Sequence, residues 1–183
     1  MNHQHAAVAA IAELVTAHPH LAEDYSVDPV LAGVEDVEWS TIPGCPAGLP
    51  AVLRGLMHPD TARSAERVLG RVVMAGPMKI SSVMPAVVPF LLRLAADPRV
   101  PCRGELFGLV LAAAALSEPT DPANAWDVAV SGPEDEHPER ALCRAAFAAN
   151  ATWVAQLLAD EELLTENPLR DDERACLLRA AGL

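Results

Sequence analysis

Six histidines, four cysteines and three tryptophans are where chemistry would be sought first in this 183-residue chain. His3 and His5, then His18 and His20, form two His-x-His pairs near the start. In an extended segment such a pair puts both imidazoles on one side, a geometry that suits Zn or Cu. His18 also abuts Pro19 at a helix end, where an imidazolium favours the helix dipole and bonds free carbonyls. The helix-end reading is the one the sequence favours, and no metal ligand is assigned. Cys45, Cys102, Cys143 and Cys176 are separated by 57, 41 and 33 residues. No Cys-x-x-Cys pair exists, so neither a zinc ribbon nor a thioredoxin-type motif is supported. Scattered thiols of this kind read as small buried hydrophobes in a reducing compartment.

A cysteine nucleophile needs a histidine base and a third group to orient it. Cys45 with His58, or Cys143 with His137, are the pairs to consider, but Cys143 lies on an apolar helical stripe and reads as core. Glu35-Asp36 and Asp160-Glu161-Glu162 have the residue types for acid–base work, although such runs are usually solvated faces. No phosphate-cradling glycine loop, HExxH or GxSxG is present. Asn150-Ala151-Thr152 matches a glycosylation sequon without a secretion signal to give it meaning. No catalytic residue and no cofactor is therefore expected.

The tryptophans carry more information. Trp39 follows Glu35, Asp36 and Glu38 in a Pro/Gly-rich stretch, and Trp126 with Asp127 lies in an acidic segment before His137. A large aromatic either plugs a gap between alanine-lined helices or anchors a partner inside a rim of carboxylates. On the second reading Glu35, Asp36, Glu38, Trp39, Trp126 and Asp127 are the candidate partner-binding residues.

The elements that must position these residues are helices. Hydrophobic residues make up 51% of the chain but aromatics only 4%, and alanine alone fills 34 positions. That composition disfavours pleated β-layers and suits close-packed helices. Apolar positions recur at helical spacing. The stripes are Val8/Ile11/Ala12/Val15, Leu49/Val52/Leu53/Leu56, Val68/Leu69/Val72/Val73 and Val87/Val88/Leu91/Leu92/Ala95. They continue as Leu106/Leu109/Val110/Ala113, Leu142/Ala146/Ala149, Val154/Leu157/Leu158 and a weaker Ala175/Leu178/Ala181. No alternating run is long enough for a strand, so the pattern predicts an all-α fold of eight or nine helices. Long loops are expected at Val37–Gly48, Gly76–Ser82 and Pro119–Pro138.

Punctuation suggests a period. The pairs His18-Pro19, His58-Pro59, Asp97-Pro98 and His137-Pro138 lie 40, 39 and 40 residues apart, each a corner between helices. Leu49-Pro50-Ala51-Val52-Leu53-Arg54 aligns with Val88-Pro89-Phe90-Leu91-Leu92-Arg93 at an offset of 39. A period near 40 matches HEAT or armadillo units. The expectation is one domain over 1–183, a short HEAT/armadillo-like α-solenoid of paired antiparallel helices, with units near 5–36, 47–75, 83–116 and 138–183. An irregular helical bundle is the alternative.

Net charge is −12 with a pI near 4.8, which disfavours nucleic acid as a partner of the whole chain. Residues 1–53 carry seven acidic and no basic side chains, residues 54–110 reach +4, and residues 111–183 reach −9. An acidic end would attract a basic partner and speed its association. The N-terminus is a poor signal peptide, and the longest apolar run, Leu106–Leu116, is too short to span a bilayer. A cytoplasmic protein without a membrane partner is expected. Twelve arginines against one lysine, with abundant alanine, fit a GC-rich genome.

The segments Trp39-Ser40, Leu49-Pro50-Ala51-Val52-Leu53, Gly76 and Ala86-Val87-Val88-Pro89-Phe90-Leu91-Leu92-Arg93-Leu94 resemble small HEAT-like helical proteins common in actinobacteria. The resemblance covers about residues 39–116 and departs from the pattern at Pro77-Met78-Lys79-Ile80. Some such proteins are immunity proteins paired with polymorphic toxins. The resemblance thus implies a non-catalytic protein-binding module that neutralises a basic toxin domain. The contrasting expectation is a small-molecule-binding or catalytic helical domain with an inter-helix pocket.

Overall fold

Helix α5 (Met84–Ala96) is where the sequence pattern becomes structure most directly. In the computed structural model, which describes residues 3–23 and 28–183, nine of its thirteen residues are buried, including Val87, Val88, Leu91, Leu92 and Ala95. Pro85 sits in its first turn, where a missing N–H costs nothing. Pro89 lies in its interior and removes a hydrogen bond there. Burial on nearly every side explains how a helix so interrupted is held, because α5 packs against helices from both flanks of the chain.

The described residues are 67% helical, with eleven α-helices and one two-stranded hairpin, so the fold is all-α in class. Helices α1 (His3–Ala17) and α2 (His20–Glu23) open the chain and are followed by 3-10 turns at Pro29–Leu31 and Trp39–Thr41. Helices α3 (Leu49–Gly55) and α4 (Ala62–Val73) come next, with α1 packed on both. Gly48, which caps α3, has φ +89° and its Cβ would lie 2.9 Å from Ile11, so both conformation and the approach of α1 require glycine. Strands β1 (Met74–Gly76) and β2 (Lys79–Ile80) form an antiparallel hairpin before α5. Helix α6 (Arg103–Leu116) packs along α5, and α7 (Ala125–Ser131) stands in the connection to α8 (Pro138–Ala149). Helices α9 (Ala151–Ala159), α10 (Glu161–Glu166) and α11 (Asp171–Ala181) complete the chain, with α8 and α9 on α5 and α11 on α6 and α8.

Several expectations change at this level. The hairpin occupies the expected Gly76–Ser82 loop, and its strands are too short to give an alternating signal. The expected Pro119–Pro138 loop contains α7 and a 3-10 turn at Glu134–Glu136. The prolines aligned by the 39-residue offset are not equivalent, since Pro50 starts α3 whereas Pro89 lies inside α5. Three stripes are rotated. Helix α1 buries Ala7, Ala10, Ile11 and Leu14 and exposes Val8. Helix α8 buries Arg140, Cys143 and Phe147 and leaves Leu142 58% exposed, and α11 buries Cys176, Leu177, Ala180 and Ala181. In helices rich in alanine more than one face satisfies the 3.6-residue period, and the neighbouring helices select between them.

Candidate functional site

Between the end of α6 and the start of α8 the chain makes a 21-residue excursion, residues 117–137. Its middle is α7, seven residues of which none is buried. Asn124 starts the helix by accepting from the backbone N–H groups of Trp126 (3.1 Å) and Asp127 (3.3 Å). Gly132 ends it with φ +75°, and a Cβ there would lie 2.6 Å from His137 Nε2. A helix this short is not stable alone in water. Its order comes from polar groups at its base.

Those groups are presented by α8. Arg140, only 6% exposed, donates to Thr120 Oγ1 (2.5 Å) and to the Ser131 carbonyl. Thr120 Oγ1 in turn donates to the Gly132 carbonyl at 3.0 Å. One turn along, Arg144 donates to the Ser117 carbonyl and to Glu134 Oε1 (2.5 Å). Glu134 Oε2 accepts from the Thr120 backbone N–H at 3.4 Å and lies 3.9 Å from Arg140 Nη1. Burial pushes the Glu134 carboxyl up, but Arg144, the Thr120 amide and Arg140 outweigh it and hold the group below its ordinary 4.5. Two arginines spaced i, i+4 thus tie both ends of the excursion to one helix face.

What the brace displays is apolar and acidic. Trp126 is 77% exposed and Val130, four residues on and on the same face of α7, is 51% exposed. Residues 117–139 contain seven acidic side chains and no lysine or arginine. Asp135 and Glu136 are exposed and have no ion-pair partner among the described residues. Asp127 is used internally, accepting from the Asp121 N–H (2.7 Å) and the Ser131 hydroxyl (3.3 Å). It shapes the element that carries Trp126.

The other proposed anchor is placed differently. Trp39 is half-buried, its indole N–H donates to the Val34 carbonyl at 2.8 Å, and its ring lies 5.9 Å from that of Phe90 on α5. Glu35 pairs with Arg54 at 2.6 Å, and Glu38 stands just before the 3-10 turn, where its backbone carbonyl accepts from the Thr41 hydroxyl. Asp36 is exposed beside Gly33. This stretch straps residues 29–41 to the core, and its tryptophan packs inward as a gap-filler.

The thiols are poor nucleophiles at neutral pH. Burial pushes Cys143 up to about 12 and Cys45, Cys102 and Cys176 up to about 11. His137 pairs with Glu139 at 3.0 Å. His18 lies just past the end of α1, and its ring meets His20 edge-on at 6.0 Å, as His20 meets His58 at 5.7 Å. The His3 side chain lies outside the described residues. Among the described residues no group of three or more His, Cys, Asp or Glu is arranged to hold a metal ion. Open clefts among the described residues include ones of about 360, 260 and 490 Å³, each walled partly by charged side chains at the surface. Among the described residues no helix is long and apolar enough to cross a membrane.

Sequence reasoning missed the brace, because Arg140 and Arg144 read as ordinary surface charges. The available signal was their i, i+4 spacing just after residues 117–139, a segment without basic residues. Comparison of the chain with protein-family models, curated proteins and solved structures finds no match.

Proposed function

We propose that this protein is a non-catalytic binding module that docks another protein on the α7 excursion. The observation that carries the reading is Trp126, held 77% exposed with Val130 beside it on an acidic, arginine-braced element. An exposed tryptophan on an ordered, acidic segment is of the residue type enriched at binding hot spots. Seven acidic residues without an intervening cation favour a basic partner surface and accelerate its approach.

On this reading the stacked helices act as a rigid scaffold of the α-solenoid kind, HEAT- or armadillo-like. The thiols raised by burial favour recognition over covalent catalysis by cysteine. Nucleic acid is disfavoured by the net charge of −12. The narrower form of the proposal is a cytoplasmic immunity protein that neutralises a basic toxin domain, and its support is the sequence resemblance over residues 39–116. The second reading, a small-molecule or catalytic domain, has in its favour the cleft of about 360 Å³ lined by Arg71, Lys79, Ser81, Ser82 and His137.

The test is capture from the native host with wild-type and Trp126→Ala proteins as paired baits. One stoichiometric basic protein, retained by the wild type, released as salt rises and lost from Trp126→Ala, supports the proposal. If that protein arrests growth when expressed alone and not when co-expressed with this chain, the immunity form stands. Equal recovery by both baits refutes the assignment to α7.

A further inference from the structure

Eight of the twelve arginines in this molecule are committed. Arg54, Arg99, Arg103, Arg140, Arg144, Arg170 and Arg179 each pair with a carboxylate, and Arg93 donates to the carbonyls of Pro89 and Ala32. Among the described residues five cations make no ion pair or hydrogen bond: Arg63, Arg67, Arg71, Lys79 and Arg174. Four of the five are gathered in one place. Arg63, Arg67 and Arg71 are exposed on α4 at i, i+4 and i+8, and Lys79 is exposed on the adjoining hairpin. The opposite face of α4 is buried through Ala65, Val68, Leu69 and Val72, so the three arginines are fixed outward by packing.

Two clefts border this row. Arg67 and Arg71 line one of about 260 Å³ with Ser64 and His18, and Arg71 and Lys79 line another of about 360 Å³ with Ser81 and Ser82. Arg71 belongs to both, so the cations form one continuous track.

We propose that this strip docks an extended, carboxylate-rich peptide segment of another protein. Positions four apart on a helix are about 6 Å apart along its axis. Alternate residues of an extended chain, which face the same way, are about 6.6 to 6.8 Å apart. Carboxylates at every second position of such a peptide therefore fall in register with successive arginines. The surroundings select against a longer polyanion. Glu13 stands in the first cleft, Glu66 lies beside Arg67, and Glu136 and Glu139 line the second. A nucleic-acid strand running past four cations would meet these carboxylates and a molecule of net charge −12. The strip lies on α4 and β2 and rests on other residues than the Trp126 surface, whose acidic segment it meets at Glu136 in the second cleft.

The test is fluorescence anisotropy at low and physiological salt with three labelled peptides. One carries four glutamates at alternate positions, one carries four consecutive glutamates, and one has glutamine in place of every glutamate. The alternating peptide is expected to bind tightest, to weaken with salt, and to lose about tenfold in affinity when Arg67 and Arg71 are both changed to Glu. Arg174→Glu, a single reversal on α11 with half the charge change, is expected to change affinity less than about twofold. All three substituted positions are exposed, and an unchanged thermal melt shows that the variants remain folded. Equal binding of the glutamine peptide, or equal loss in the Arg174 and Arg67/Arg71 variants, overturns the proposal. So does tighter binding of a labelled single-stranded oligonucleotide. Self-association of the full chain that disappears in the Arg67/Arg71 variant overturns it in favour of a second copy as occupant.

Discussion

Replacing Arg140 with Met removes the charged donors that hold the excursion while keeping a long apolar stem against the neighbouring side chains. The wild-type guanidinium donates to Thr120 Oγ1 and to the Ser131 carbonyl and lies 3.9 Å from Glu134. Two hydrogen bonds from a charged donor contribute about 1.5 to 3 kcal/mol each. Part of this is offset because a buried arginine no longer needs to be desolvated. A net loss of about 3 kcal/mol follows, which is roughly a hundredfold in an opening equilibrium. The loss has to be local. No residue of α7 is buried, so melting it exposes no core, whereas the contacts of α5 with α6, α8 and α9 do not pass through it. Hydrogen exchange read by mass spectrometry at neutral pH measures this directly. Peptides covering residues 121–131 should exchange about a hundredfold faster in Arg140→Met, with those from α5 and α6 nearly unchanged. A uniform acceleration across the molecule would show that Arg140 supports the global fold. Unchanged protection at 121–131 would show that α7 is held by something other than the brace.

Five further outcomes follow from the same geometry. Trp126→Ala is expected to leave stability within about 0.5 kcal/mol of wild type in urea unfolding, because the exposed ring contributes little to the fold. Phe147→Ala, which empties a fully buried site on α8, should cost about 3 to 5 kcal/mol in the same assay. Acid should loosen the excursion selectively. Glu134 titrates below its ordinary 4.5, so its stabilisation is present above that value and is lost as pH falls through the folded-state value, read as reduced protection factors at 120–137. Glu66 has the opposite sign, since burial and the nearby Glu105 raise it with partial relief from Arg67; Glu66→Gln should therefore raise the melting temperature at neutral pH and leave it nearly unchanged well below 4.5. Thiol titration at pH 8 should proceed at least about a hundredfold more slowly in the native protein than in denaturant, given thiols pushed to about 11 and 12. One fast-reacting cysteine would reopen the case for a nucleophile.

The parts of the fold that were legible are those in which one face of a helix is unambiguously more apolar than the rest. Helix α4 has Val68, Leu69, Val72 and Val73 against three arginines, and α3 is similarly decisive; the expected stripes there are buried. Helix α8 was not legible, because its buried face includes Arg140 and its exposed face includes Leu142. A charged residue buried for the sake of hydrogen bonds and an apolar residue left outside invert the rule from both directions. The candidate site divided in the same way. The acidic run and Trp126 could be read from composition, but the inward packing of Trp39 could not, since it depends on Val34 and Phe90 arriving from different elements. The hairpin at residues 74–80 lacked a signal because five strand residues cannot show a period of two.

Folding and display are handled by different interactions in this molecule. The helices that enclose α5 are held by aliphatic burial, which is insensitive to salt and weakly sensitive to pH. The excursion is held by arginine hydrogen bonds and one carboxylate, which respond to both. A partner that draws basic groups toward residues 117–139 must compete with Arg140 and Arg144 for Glu134, yet Asp135 and Glu136 remain exposed and unpaired next to it. Those two carboxylates can steer an approaching cation without dismantling the brace. This division gives a specific expectation for salt. Moderate ionic strength screens the exposed carboxylates before it reaches the half-buried Glu134 pairs, so association should slow at salt concentrations where the excursion is still fully protected from exchange. Stopped-flow association and hydrogen exchange measured over one salt series would separate the two. If protection at 121–131 falls in parallel with the association rate, the acidic residues act by maintaining α7 and not by steering.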